Sequence, residues 1–278
     1  MRLLETGAGN TPFRLRCFSL PSAEQSSEAT TRIKNLYADV LDLDRLNIDG
    51  LIVTGAEPRA ASLPEEPYWR ALIEIVDWAQ ANTYSTIWSC LAAHAAVLHL
   101  DGIERQRLAQ KCSGIYDCSK VLDNWLTDDL PSSLKVSHSR LHGLSEGDLG
   151  ARGYQVLTRS KDAGIDIFAK RQRSRFIFFQ GHPEYDSLSL QREYLRDIGR
   201  YLAGDQELYP STPEGYFNAR TILALEAFRT CALAERNPAL IANFPKLILR
   251  PNIGAEPAVA ATTIFRNWLG YLAKCKGG

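Results

Sequence analysis

The chain has 278 residues, 45% hydrophobic and 23% charged, with 32 basic side chains against 32 acidic ones. Such a composition belongs to a globular protein, and the balanced charge removes any global electrostatic case for nucleic acid or an anionic membrane. No apolar run approaches the roughly 20 residues of a membrane span, and Met1-Arg2-Leu3-Leu4-Glu5-Thr6-Gly7 lacks the apolar core of a signal peptide. Six cysteines, at 17, 90, 112, 118, 231 and 275, lie far apart without metal-ligand spacing. A cytoplasmic protein with reduced thiols and no metal is the expectation.

Residues 1–30 are weakly patterned: Phe13 to Phe18 alternates like a strand, and Pro21 to Thr31 is a polar loop. Thr31 to Leu41 reads as a helix or a connector. Ile48-Asp49-Gly50-Leu51-Ile52-Val53-Thr54-Gly55-Ala56 is a short buried strand running into a glycine-containing loop. Tyr68 to Asn82 carries Trp69, Leu72, Ile73, Val76 and Ala79 at helical spacing. Ser85 to Ser89 is mostly β-branched or aromatic and stops at Cys90, after which Leu91 to Leu98 is rich in helix formers. Strand, helix, strand, elbow and helix make the grammar of a doubly wound sheet.

Further on, Lys111 to Cys118 and Lys135 to Arg140 read as strands, and 154–159, 164–170 and 175–180 as a three-strand meander. Ser187 to Ala203 is an amphipathic helix with a stripe of Leu188, Leu195, Ile198 and Leu202. Helices are expected at 219–235 and 261–273, separated by a segment punctuated by Pro238, Pro245, Pro251 and Pro257. No internal repeat is present. The expected organisation is one α/β domain over 1–278, with a core at about 35–205 and a helical C-terminal extension at about 206–278. Its sheet is expected to be doubly wound and mostly parallel.

Two elements share a logic. One strand ends in a cysteine elbow, and another ends in Gly181-His182-Pro183-Glu184. A cysteine on a sharp strand–helix turn sits beside free backbone N–H groups and the positive end of a helix dipole, which favour a thiolate and can receive an oxyanion. Carboxyl ends of parallel strands open into one crevice, so His182 can serve Cys90 as base and Glu184 can orient the imidazole. The natural oxyanion donors are the N–H groups near Gly55-Ala56 and at Leu91. An inert buried cysteine is the alternative for Cys90, and His94, His99, His138 and His142 are rival bases.

Phe178-Phe179-Gln180-Gly181-His182-Pro183-Glu184 resembles the His-Pro-Glu segment of class I glutamine amidotransferases, but Leu91-Ala92-Ala93-His94 replaces the glycine and glutamine those enzymes carry after the nucleophile. The homoserine O-succinyltransferase/O-acetyltransferase family is more similar. The match runs through Asp49 to Ala56, Tyr68-Trp69, Cys90, Lys111-Cys112-Ser113-Gly114-Ile115-Tyr116, His138-Ser139-Arg140, Gly181 to Asp186, Arg196-Asp197 and Asn267-Trp268-Leu269-Gly270-Tyr271.

This resemblance implies a flavodoxin-like, glutamine amidotransferase-like fold and an acyltransferase with a Cys90–His182–Glu184 triad. It implies Lys111, Ser139 and Arg196 as amino-acid contacts, acyl-CoA (succinyl-CoA or acetyl-CoA) as co-substrate with no permanently bound cofactor, and a homodimer. In that family a glycine after the Thr-Gly-Ala segment goes with succinyl transfer and a glutamate with acetyl transfer. Here the position is Arg59, whose charge suits the free carboxylate of a succinyl group. L-Homoserine is the expected acceptor, with serine as an alternative. An amide hydrolase and a non-catalytic binding protein on the same fold are the other readings.

Overall fold

The computed structural model describes residues 2–20, 38–39 (backbone only), 43, 45–245, 251–252 and 254–277. The polar loop expected at 21–31 lies outside them, and so does most of the segment expected at 31–41. Two-residue strands β1 (Phe18–Ser19) and β2 (Ala38–Asp39) pair in parallel. The main sheet has seven strands: β3 (Gly50–Val53), β4 (Ser85–Ser89), β5 (Gln106–Lys120), β6 (Ser133–Gly143), β7 (Gln155–Ser160), β8 (Gly164–Arg171) and β9 (Arg175–Phe179). Their order across the sheet is β3-β4-β9-β8-β7-β5-β6.

The α/β architecture expected from the sequence is present, but its parallel part is confined to one side. β3, β4 and β9 run parallel, whereas β9, β8, β7, β5 and β6 pair antiparallel in turn. The sheet is therefore mixed, a correction to the mostly parallel one expected. Connection length explains it: three residues join β7 to β8 and β8 to β9, too few for the crossover that a parallel pair requires.

Helices cover both faces. α1 (Arg2–Ala8) was not expected from the sequence; α2 (Trp69–Asn82) and α3 (Leu91–Asp101) fall where the apolar periodicity placed them. α3 ends at Gly102, whose left-handed φ of 68° closes the last turn. α4 (Glu146–Ala151), α5 (Ser189–Ala203), α6 (Ala219–Ala234) and α7 (Glu256–Gly277) follow. α5 starts two residues later than expected and leaves Leu188 exposed; its buried side includes Leu190, Tyr194, Ile198 and Leu202. The strand expected at Phe13 to Phe18 is reduced to Phe18–Ser19.

Val76, Ala79, Trp88, Ala96, Phe168, Phe176 and Phe178 form the core on the α2–α3 face. On the other face, Ile264, Trp268 and Leu272 of α7 pack with Ile87, Ile177 and Phe179. The extension is tied to the sheet through Glu214, whose N–H donates to the Ser113 carbonyl (2.8 Å) and whose carbonyl accepts from the Ile115 N–H (2.8 Å). No helix among the described residues is long and apolar enough to cross a membrane.

Trp268 is 3% exposed, and its indole Nε1–H donates to the Ser85 hydroxyl at 3.0 Å, fastening α7 to the first residue of β4. Trp268→Ala is expected to destabilise the protein by about 3–5 kcal/mol, the usual cost of emptying a buried aromatic site. Urea unfolding checks this as a lowered midpoint with an unchanged slope.

Candidate active site

The site is built on the pairing of β4 with β9. Ser89 is the register partner of Phe179, and one residue further the Cys90 N–H donates to the Phe179 carbonyl at 2.8 Å. The elbow and the His182 loop therefore leave adjacent parallel strands at the same edge. Cys90 has φ 55° and ψ −118°, a strained conformation for a residue with a side chain. It is tolerated because the strand before it is fully buried and the helix begins at once after it.

Gly55 supplies the close neighbour. A side chain there would place Cβ 2.7 Å from the Leu91 nitrogen and 2.9 Å from the Leu91 Cβ, so only glycine lets this loop lie against the elbow. The Leu91 N–H belongs to the first helical turn, where no intrahelical acceptor exists. The Gly55-Ala56 backbone and this N–H thus stand together beside Cys90.

His182 is 9% exposed and held on three sides. Its backbone N–H donates to the Ser137 carbonyl (2.8 Å), its Nδ1 pairs with Glu184 Oε1 (2.8 Å), and its ring stacks on Tyr185 with centroids 4.2 Å apart. Gly181 lets the loop pass tightly: a Cβ there would fall 2.5 Å from Asp166 Oδ1 and 2.6 Å from Val136 Cγ1. Burial pushes the imidazole toward neutrality, but hydrogen bonding and charge from Cys90 and Glu184 outweigh it and raise its pKa to about 10. Its Nε2, the ring nitrogen not paired with Glu184, is buried and makes no hydrogen bond.

The other histidines are placed differently. His94 Nε2 meets Gln180 Oε1 at 3.2 Å, and burial lowers its pKa to about 3. His99 pairs with Asp77 on α2 (2.8 Å). Burial and neighbouring arginines lower His142. His138, fully buried, is pushed well down by burial and Arg140. It also lies in a buried trio with Cys118 and Asp166 whose ligand atoms are within 4.8 Å of one another. The trio is a poor cation site. Arg140 Nε donates to His138 Nδ1 (3.4 Å), which leaves the proton of a neutral ring on the nitrogen nearest Asp166; burial also keeps the Cys118 thiol protonated.

A charged wall runs from the triad to α5. The Tyr185 hydroxyl donates to Glu193 Oε1, and the Ser139 hydroxyl donates to Glu193 Oε2. Lys111 Nζ is 3.6 Å from the same carboxylate and 2.7 Å from Asp197 Oδ2. Arg196 holds Asp197 Oδ1 through Nε (3.1 Å) and Nη2 (2.9 Å), and its Nη1 lies 4.0 Å from Glu57. Arg200 binds both oxygens of Glu57, and that hydrogen bonding lowers the Glu57 pKa.

Lys111, Ser139 and Arg196 are thus brought into one network with His182, through Tyr185, Glu193 and Asp197. Arg59 is not part of it. Its side chain is exposed, and its N–H is bound by Glu66 Oε1 at 2.8 Å. Sequence reasoning missed Glu57, Tyr185, Glu193 and Asp197. A usable signal existed in α5, where Glu193, Arg196, Asp197 and Arg200 recur at helical spacing as a charged stripe instead of a simply solvated face.

The profile of the homoserine O-succinyltransferase family matches residues 1–276. The chain belongs to this family. It is an acyltransferase by that membership. It is 59% identical over 273 residues to a homoserine O-succinyltransferase of Rhodopseudomonas palustris, covering 98% of this chain and 82% of that one. A homoserine O-succinyltransferase of Bradyrhizobium japonicum is 58% identical over 273 residues (98% and 83%), and one of Methylorubrum extorquens 46% over 262 residues (93% and 78%). Among solved structures, a glutamine amidotransferase of Thermotoga maritima superposes with a TM-score of 0.52 at 15% identity, covering 94% of this chain and 99% of that one. That likeness concerns the fold and agrees with the architecture the sequence implied.

The raised pKa gives a pH prediction. Because the folded value, about 10, exceeds the ordinary 6.5, the stability from charged His182 is complete below pH 6.5 and lost as pH rises toward 10. Wild-type protein is expected to lose stability over that window, and His182→Gln to lack this part of the slope, as urea unfolding at successive pH values reads out. Nitrogen-15 NMR is expected to show an imidazolium at neutral pH; a midpoint near 6.5 would contradict the pairing.

Proposed function

We propose that the chain is a homoserine O-succinyltransferase that moves a succinyl group from succinyl-CoA to the hydroxyl of L-homoserine through a thioester on Cys90. The observation that carries this reading is Cys90 at a strained elbow beside the buried His182, whose ring is held by Glu184. The site opens toward a wall of matched charges. Family membership supplies the acyl-transfer chemistry, and the names of the relatives supply homoserine and succinyl.

In the first half-reaction the Cys90 thiolate attacks the thioester carbonyl carbon. The oxyanion is received by N–H groups at Leu91 and the Gly55-Ala56 loop. The bond to the CoA sulfur breaks, and CoA leaves with the proton held on His182. Acylation removes the negative sulfur that had held this proton. Having passed its proton to CoA, His182 is neutral and, oriented by Glu184, is ready as a base. In the second half-reaction the amino-acid hydroxyl gives its proton to His182, its oxygen attacks the acyl carbon, and the bond to Cys90 Sγ breaks. No resident cofactor is required.

The acceptor is a zwitterion, and the wall offers both signs. Arg196 presents a planar fork to the α-carboxylate with Lys111 beside it, and Glu193 is placed for the ammonium group. Ser139 and Tyr185 fix Glu193, so the carboxylate is oriented before substrate arrives.

Intact mass after mixing with succinyl-CoA is expected to show a succinyl adduct on wild-type protein and none on Cys90→Ala. Transfer to homoserine is expected to fall at least about a thousandfold in Cys90→Ala and in His182→Ala, because removing one member of a nucleophile–base unit disables the unit. Near-normal turnover in either variant overturns the assignment. Arg196→Lys, which keeps the charge and loses the fork, is expected to raise KM for the amino acid about tenfold with a smaller change in kcat.

A further inference from the structure

The loop on the other side of the elbow holds polar groups that the mechanism does not use. Glu66 is 3% exposed. Its Oε1 accepts from the N–H groups of Arg59 (2.8 Å) and Ala60 (3.0 Å), which pins the loop after Gly55-Ala56. Its Oε2 is buried without a hydrogen bond, and so is the Tyr68 hydroxyl. Arg105, half-buried at the start of β5, lies within electrostatic reach of Glu66, Tyr68 and Cys90. Among the described residues its charge has only these longer-range partners and no close ion pair.

A half-buried guanidinium within electrostatic reach of the nucleophile, with five donors and no bound carboxylate, is an incomplete arrangement. Glu66 does not complete it, because one oxygen is committed to the loop and the other makes no hydrogen bond. The local charge is also unbalanced toward an anion. Arg59 and Arg105 both act on the Tyr68 hydroxyl, against the single carboxylate of Glu66. His94 and His142, which also feel Arg105, are held neutral by burial and add nothing. The wall of Arg196 and Lys111 is already assigned to the α-carboxylate of the acceptor, so the carboxylate of the acyl group needs a cation elsewhere.

We propose that Arg105, together with the Tyr68 hydroxyl, receives the terminal carboxylate of the acyl group delivered to Cys90. Glu66 positions the loop that closes this subsite and supplies the countercharge that keeps Arg105 in place. The proposal rests on the acyl-enzyme reading above and extends it: recognition of the dicarboxylic acyl group is assigned to the start of β5, not to the exposed Arg59 alone. No covalent step is added. The subsite orients the acyl chain so that its thioester carbon meets Cys90.

The test compares succinyl-CoA with butyryl-CoA, which has the same chain length and a methyl group in place of the carboxylate. CoA release with homoserine as acceptor gives kcat/KM for each donor. Wild-type protein is expected to prefer succinyl-CoA, and Arg105→Gln to reduce that preference about 10- to 100-fold, as expected for losing a charge-assisted contact. Arg105→Lys is expected to retain part of it. Tyr68→Phe, which removes only a hydroxyl, is expected to shift the ratio in the same direction and serves where Arg105→Gln fails to fold. An unchanged ratio in the folded variants, or equal use of both donors by wild type, overturns the proposal. Absence of any acyl adduct on wild-type Cys90 with either donor overturns the underlying reading instead.

Discussion

The hydrogen bond from the Cys90 N–H to the Phe179 carbonyl is the constraint on which the site depends. It continues the β4–β9 ladder one residue beyond the last strand pair, at the point where both strands end. From there one chain turns into the Leu91 helix and the other into the Gly181-His182 loop. A one-residue slip would turn the alternating side chains of β4 to the opposite face and move Cys90 away from His182. The buried aromatic residues Trp88, Phe176 and Phe178, packed on one face, make such a slip costly. The cysteine's positive φ is held by the same packing.

The antiparallel half of the sheet has a separate task. β5 and β6 carry Lys111 and Ser139 to the site from two strands paired in register at Ser113–Ser139. The pairing shifts between Arg107 and Cys112, an irregularity that places Lys111 just before the regular ladder resumes. Bulges of this kind re-aim a side chain, and here Lys111 meets Asp197 and Glu193 of α5. Two residues before Ser139, β6 also carries Ser137, whose carbonyl receives the His182 N–H. Base and amino-acid wall are therefore referenced to one strand.

Electrostatics along that wall is a chain of shared partners. Asp197, 6% exposed, is paired with both Lys111 and Arg196, and Glu57 with both Arg196 and Arg200. A carboxylate buried this deeply is costly unless paired on several sides, and Lys111 and Arg196 supply that pairing.

The sequence alone determined the elements that rest on local signals. A β-branched and aromatic strand stopping at Cys90, helix formers after it, and a strand closing on His-Pro-Glu are each readable within a dozen residues, because side-chain period and turn chemistry are local properties. Motif resemblance added Lys111, Ser139 and Arg196. Tertiary structure decided the rest. Short loops turned most of the sheet antiparallel, and the α5 stripe became a partly buried ion-pair network because Lys111 of β5, Ser139 of β6 and Glu57 face it. Glu66 and Tyr68 on one loop and Arg105 on another come within electrostatic reach of each other from two segments far apart in the chain. The turn that carries Cys90 is written around it in the chain; which groups surround it depends on contacts between residues far apart in sequence, and those no local pattern encodes.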